Sequence, residues 1–76
     1  MSVLTRGMPP RRLDLTEPER YALLWTSHGL TTAMTADMMG LSPETVNDHL
    51  ERARLKLAAK NTTHAVANAY RRGLIR

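Results

Sequence analysis

Apolar positions along this chain recur at intervals of three and four residues rather than two, which predicts helices and no strand. The first ordered segment begins near Leu13, and Thr16 with Glu19 three residues later makes a capping box, with Glu17 adding negative charge to the first turn. Tyr21, Leu23, Leu24, Trp25 and His28 keep helical spacing as far as Gly29, so a helix is expected over about Glu17–His28. Thr31 and Thr32 are the next capping candidates, and Ala33–Met39 should form a two-turn helix ended by Gly40. Leu41 is expected to drop into the core, Ser42 to cap, and Pro43 to open a third helix running through Lys56 or Ala59. After a restart at Asn61, or at Thr62 and Thr63, a fourth helix is expected over His64–Arg72, closed by Gly73, with Leu74 and Ile75 folding back as an apolar clasp.

The middle of this pattern, TADMMGLSPETVNDHLERARLKL, reads as a helix-turn-helix. Ala36 is small where two helices cross closely, Gly40 supplies the positive φ of a sharp turn, and Val46 points back to lock the second helix onto the first. Leu41 and Met39 are expected to fill the wedge between them. A plain antiparallel helical bundle is the competing reading.

On a wheel of about 100° per residue, Val46, Leu50, Ala53 and Leu57 share an arc of roughly 60°, which is the expected buried stripe of the third helix. Glu44, Asn47, Asp48 and Glu51 lie opposite it, with Thr45 and Arg52 on one flank and Arg54 on the other. This arrangement sets short polar groups where base edges would lie and cations where the phosphates of a groove wall would lie. Asn47 can pair with adenine, and Asp48 or Glu51 can accept from the cytosine amino group. Carboxylates also repel phosphate, so the attraction must come from Arg52, Arg54, Lys56 and Lys60. Early acids and late bases in a helix satisfy its dipole without any partner, which is the bland explanation of Glu44, Asp48 and Glu51.

Charge sharpens this picture. Residues 1–12 carry +3, residues 13–51 carry −6 from seven acids against Arg20, and residues 52–76 carry +7 with no acid, returning the net +4. A basic C-terminal third suits a polyanion, although solvated helix faces give the same composition. Residues 1–12, with Pro9 and Pro10 beside Arg11 and Arg12, read as a flexible basic arm, and residues 13–76 as one small domain. Zero cysteines exclude disulfides and thiol chemistry and fit a reducing interior. No segment is apolar and long enough for a signal peptide or a membrane span, so a cytoplasmic protein without membrane association is expected.

Enzyme chemistry is not expected: no catalytic residues, cofactor or metal site can be assigned, because His28, His49 and His64 do not pair on one helix face and no glycine-rich loop follows a strand. His49 reads as a half-buried packing residue. Met34, Met38 and Met39 read as core filler, with a partner surface as the other possibility.

The segments LTEPERYALLWTSHG, GLSPETVNDHLERARLKL and NTTHAVANAYRRGLI together resemble the DNA-binding domain of LuxR-type, or GerE-like, regulators, most of all the quorum-sensing branch. The resemblance spans Leu13 to Ile75. It implies an all-α, four-helix fold in which the third helix enters the major groove and the fourth helps form a two-fold dimer on a palindromic site. Base contacts would fall on Asn47, Asp48 and Glu51, and phosphate contacts on Thr31, Thr32, Thr45, Arg52, Arg54 and Lys56. Dimer contacts would fall on Ala65, Ala69 and Tyr70 of the fourth helix.

Two departures from that family stand out. Its scaffold helix usually has a glutamate and an aliphatic residue before the alanine, where this chain has Met34 and Thr35 before Ala36, so half of a capping box is lost and a hydroxyl sits where an apolar contact is expected. The large ligand-binding domain that members of this branch carry has no counterpart in 76 residues, so no small-molecule ligand is expected. The expected function is a sequence-specific transcriptional regulator, stand-alone or else an excised or degenerate domain, that binds double-stranded DNA with the helix Pro43–Lys56, as a homodimer. The alternative is a small antiactivator that pairs with a full-length LuxR-type regulator and impairs its DNA binding.

Overall fold

The computed structural model describes residues 14–76; the basic arm expected over residues 1–12, and Leu13 after it, lie outside the described residues. Four α-helices follow: α1 Glu17–Ser27, α2 Thr32–Met39, α3 Pro43–Lys56 and α4 Thr62–Arg71. Each begins as its local chemistry dictates. The Thr16 backbone N–H donates to Glu19 Oε1 at 3.0 Å while Thr16 Oγ1 accepts from the Glu19 N–H at 3.3 Å, which completes the capping box of α1. Thr31 and Ser42 cap α2 and α3 by accepting from the Met34 and Thr45 N–H groups. Asn61 caps α4 by accepting from the His64 N–H at 2.8 Å, so Thr62 and Thr63 become its first turn and the helix starts two residues earlier than the periodicity indicates.

All four helices also end alike. In each, the two N–H groups past the last helical residue reach back to carbonyls of the final turn, as in Gly40 to Asp37 and Leu41 to Ala36. The residue at the sharp point has positive φ in every case: Gly29, Gly40 and Gly73, but Ala58 at the end of α3, with φ 52°. A Cβ in that region is strained, and nothing in the sequence marks Ala58 as a helix stop. Ala58→Gly should raise stability by about 0.5–1 kcal/mol in urea unfolding; an unchanged midpoint would mean the strain is already relaxed.

The buried stripe of α3 is as expected, with Val46, Leu50, Ala53 and Leu57 inside. α1 packs against α2, α3 and α4, α3 packs against α2 and α4, and Ile75 folds under the bundle with Leu74 beside it. Six of the eleven buried apolar residues are alanines, so the helices approach closely and the few large side chains carry most of the apolar burial. Leu41 departs from expectation: it lies past the α2 turn with about a third of its surface exposed, not in the core. Met39 does pack against the core, whereas Met34 and Met38 are exposed and are not the filler they were expected to be.

Thr35 is fully buried and, among the described residues, its hydroxyl has no hydrogen-bond partner. A buried hydroxyl left unsatisfied costs about 1–3 kcal/mol. Thr35→Val keeps the shape and removes the hydroxyl, so its melting temperature should rise by about 4–8 °C per kcal/mol recovered. A fall in calorimetry would show that an unseen acceptor serves the hydroxyl.

Candidate nucleic-acid interface

α2, the Gly40 turn and α3 set out one continuous surface. Ala36 and Val46 are buried where the two helices meet, which leaves the opposite edge of α3 to solvent: Glu44, Asn47, Asp48, Glu51 and Arg52 are all exposed. The N-terminus of α2 lies beside this edge, with the Thr32 hydroxyl donating to Asn47 Oδ1 at 3.5 Å. Thr31 and Thr32 therefore share one patch with Asn47, which follows them by fifteen residues or more in sequence. Thr45 is half-buried, its Oγ1 2.9 Å from Ser42 Oγ, so it braces the cap of α3 from within the patch.

The cations divide in a way that periodicity could not reveal. Arg52 is exposed and, among the described residues, makes no hydrogen bond or ion pair. Arg54 grips Glu51 with Nε at 3.0 Å and Nη2 at 2.6 Å, and donates Nη1 to the Ala59 carbonyl at 2.8 Å. The hydrogen bond from Arg54 holds the Glu51 carboxyl below its ordinary pKa, and Glu51 raises that of Arg54 in return. An expected base reader and an expected phosphate contact thus neutralise each other on the surface.

Lys56, expected among the phosphate contacts, is engaged within the fold. Its Nζ donates to Glu19 Oε1 at 2.7 Å and to the Asp14 carbonyl at 3.2 Å, which turns it inward across α1. Glu19 is buried, and burial by itself would raise its pKa; the hydrogen bonds from Lys56 and the Thr16 N–H outweigh this, and the carboxyl is held below its ordinary value of 4.5. The capping box made Glu19 visible in the sequence, but its partner lies 37 residues away and nothing local points to it.

The residues expected at a dimer contact divide by burial. Ala65 and Ala69 have no exposed surface and form part of the core on the inner side of α4. Tyr70 is exposed, and its hydroxyl donates to Ser27 Oγ at 3.4 Å. Asn68 was not singled out in the sequence; its Nδ2 donates to the Leu57 carbonyl at 3.0 Å and ties α4 to the end of α3. His49 is half-buried as expected, with Nδ1 enclosed and without a hydrogen-bond partner among the described residues.

Residues 13–69 match the family described as bacterial regulatory proteins, luxR family. The transcriptional activator protein SolR of Ralstonia solanacearum is 40% identical over 68 residues, covering 90% of this chain and 29% of that protein. The quorum sensing-dependent transcriptional regulator RpaR of Rhodopseudomonas palustris is 40% identical over 76 residues, and the transcriptional repressor ThaA of Burkholderia thailandensis 39% identical over 57. The chain spans under a third of the length of these relatives, 31% of RpaR and 24% of ThaA. Among solved structures, the transcription factor GerE superposes with a TM-score of 0.79 over 87% of this chain and 97% of its own, at 24% identity. The phage VqmA–DPO complex superposes with a TM-score of 0.74 at 33% identity, over 96% of this chain and 33% of VqmA.

Proposed function

Since the chain belongs to the luxR family of bacterial regulatory proteins, whose members named above are transcriptional regulators, we propose that it binds double-stranded DNA in a sequence-specific way through the exposed edge of α3. The observation that carries this reading is that edge itself: it is exposed, backed by the buried Ala36 and Val46, and flanked by the N-terminus of α2. In this reading Asn47 and Asp48 read base edges, Arg52 and the capping residues Thr31 and Thr32 meet phosphate, and Glu51 reads bases only when Arg54 releases it. Helix N-termini bind phosphate through their free N–H groups, which suits the placement of Thr31. A two-fold dimer on a palindromic site would use the outer side of α4, where Thr63 and Tyr70 are exposed seven residues apart, in place of Ala65 and Ala69.

A second reading, a small antiactivator that pairs with a full-length relative and impairs its DNA binding, draws support from the same edge. With Lys56 turned inward and Arg54 neutralised, Glu44 and Asp48 face Arg52 as the remaining charges of the α3 edge, and an acidic edge weakens attraction to phosphate.

Fluorescence anisotropy on a palindromic duplex at several salt concentrations separates the two. DNA reading predicts that log K falls with log salt, that Arg52→Ala weakens all sequences alike and lowers the slope by about 1, and that Asn47→Ala costs about 1–3 kcal/mol on the preferred site while relaxing preference. Absence of binding to any duplex at low salt, with capture of a purified full-length relative, would hand the function to the second reading.

A further inference from the structure

Of the large apolar side chains exposed among the described residues, Tyr21, Met38 and Leu41 line an open apolar groove of about 470 Å³ between α1 and the end of α2. Leu55 is the most exposed of the set, at 62%, and it is not part of that groove. It lies in the last turn of α3, four residues after Glu51 and seven after Asp48. At about 100° per residue it falls between those two carboxylates, in the middle of the outward edge. A leucine there adds nothing to the core, because the buried stripe of Val46, Leu50, Ala53 and Leu57 is on the other side of the helix.

We propose that Leu55 is a specificity-determining residue of the α3 edge, packing on the C5-methyl group of a thymine in the major groove; this rests on the reading of that edge as the DNA-binding surface.

The surroundings of Leu55 select this partner. Arg52 and Arg54 stand on opposite flanks of the helix within one turn of it, so the side chain is an apolar spot between two cations. Glu51, one turn before it, is drawn to the flank by Arg54 contacts of 3.0 and 2.6 Å, which leaves Asp48 and Leu55 facing outward. That arrangement matches a groove with phosphate walls, on whose floor thymine presents an apolar methyl group among hydrogen-bonding edges. A protein partner is a poorer match: a stable interface covers about 800 Å² on each side around an apolar centre, and the neighbours of Leu55 on this edge are charged. A single exposed leucine is ordinary on a protein surface, and it is the place of this one, central on a charged edge, that calls for a small apolar partner. Leu55 lies about 10 Å along the helix from Asp48, so its thymine is outside the base pair that Asp48 meets, and it lengthens the sequence that α3 reads.

Fluorescence anisotropy with modified bases tests this. A randomised duplex pool is selected on the unaltered protein at low salt, and each thymine of the enriched duplex is then replaced in turn by uracil, which lacks the methyl group and keeps every hydrogen-bonding atom. Uracil is expected to weaken binding about fourfold at one thymine or more, the worth of one buried methyl group. Leu55→Ala, which removes no core contact, is expected to lose about as much on the thymine duplex and to be indifferent to uracil at that position. Unchanged affinity with uracil at every thymine overturns the proposal while leaving the α3 edge as the DNA-binding surface, and so does a Leu55→Ala variant that stays as sensitive to uracil as the unaltered protein. If no duplex is enriched and none is bound, the reading of the edge itself fails, and the proposal with it.

Discussion

Replacing Glu19 by alanine should cost about 3 kcal/mol of stability, measured as a lower urea midpoint at unchanged slope. Two losses combine. The Thr16 N–H loses its acceptor at the start of α1, so the reciprocal half of the capping box is gone. Lys56 Nζ loses its carboxylate partner, and with about a quarter of its side chain exposed it can swing partly into water, which limits the penalty below that of a fully enclosed charge. The sign with pH follows from the lowered carboxyl pKa. A group whose folded value lies below its unfolded one contributes stability above the unfolded value, and that contribution fades as pH falls through the folded value. The gap between wild type and Glu19→Ala should therefore be full above about pH 4.5 and shrink under it. A gap independent of pH would show that the carboxylate is not what holds α1 to the end of α3.

Leu23→Ala is expected to cost more, about 3–4 kcal/mol. Leu23 is one of the few large side chains with no exposure, and it sits on the helix that touches all three others. With alanines making up so much of the core, neighbouring side chains are too short to close over the space it leaves, so most of the cavity cost remains. A domain of this length is worth about 4–11 kcal/mol in total, so calorimetry should find the variant near its melting point at ordinary temperatures. A loss below 1 kcal/mol would mean that the helices collapse inward, and the close-packed account of the core would fail.

These two residues also show where sequence reading succeeded and where it stopped. The capping box of Glu19, the caps at Thr31 and Ser42, the stripe of Val46, Leu50, Ala53 and Leu57 and the small residue at Ala36 were legible because each depends on neighbours within one or two turns. The same is true of the exposed edge with Asn47, Asp48 and Arg52. The pairing of the charges was not legible: periodicity gives a side chain's direction but not its partner, and so it could not foresee Lys56 bending to Glu19 or Arg54 closing on Glu51 and Ala59.

The fourth helix makes the point from the other direction. Ala65 and Ala69 share the small size that suits either a helix crossing inside the fold or a contact between chains, and only the packing of α4 on α1 and α3 assigns them to the inside. Ala58 likewise takes a left-handed conformation because α4 must turn back on α3 there, held by Arg54 and Asn68, and not because of any preference of its own. The amino-acid order by itself determined four helices, the starts of α1 and α3, the helix-turn-helix and the outward edge of α3, since all of these follow from hydrogen bonds and periodicity over a few residues. Which cations remain free, which small residues are core and where the apolar groove opens were decided by the tertiary structure, because each depends on groups far apart in the chain that meet only when the helices pack.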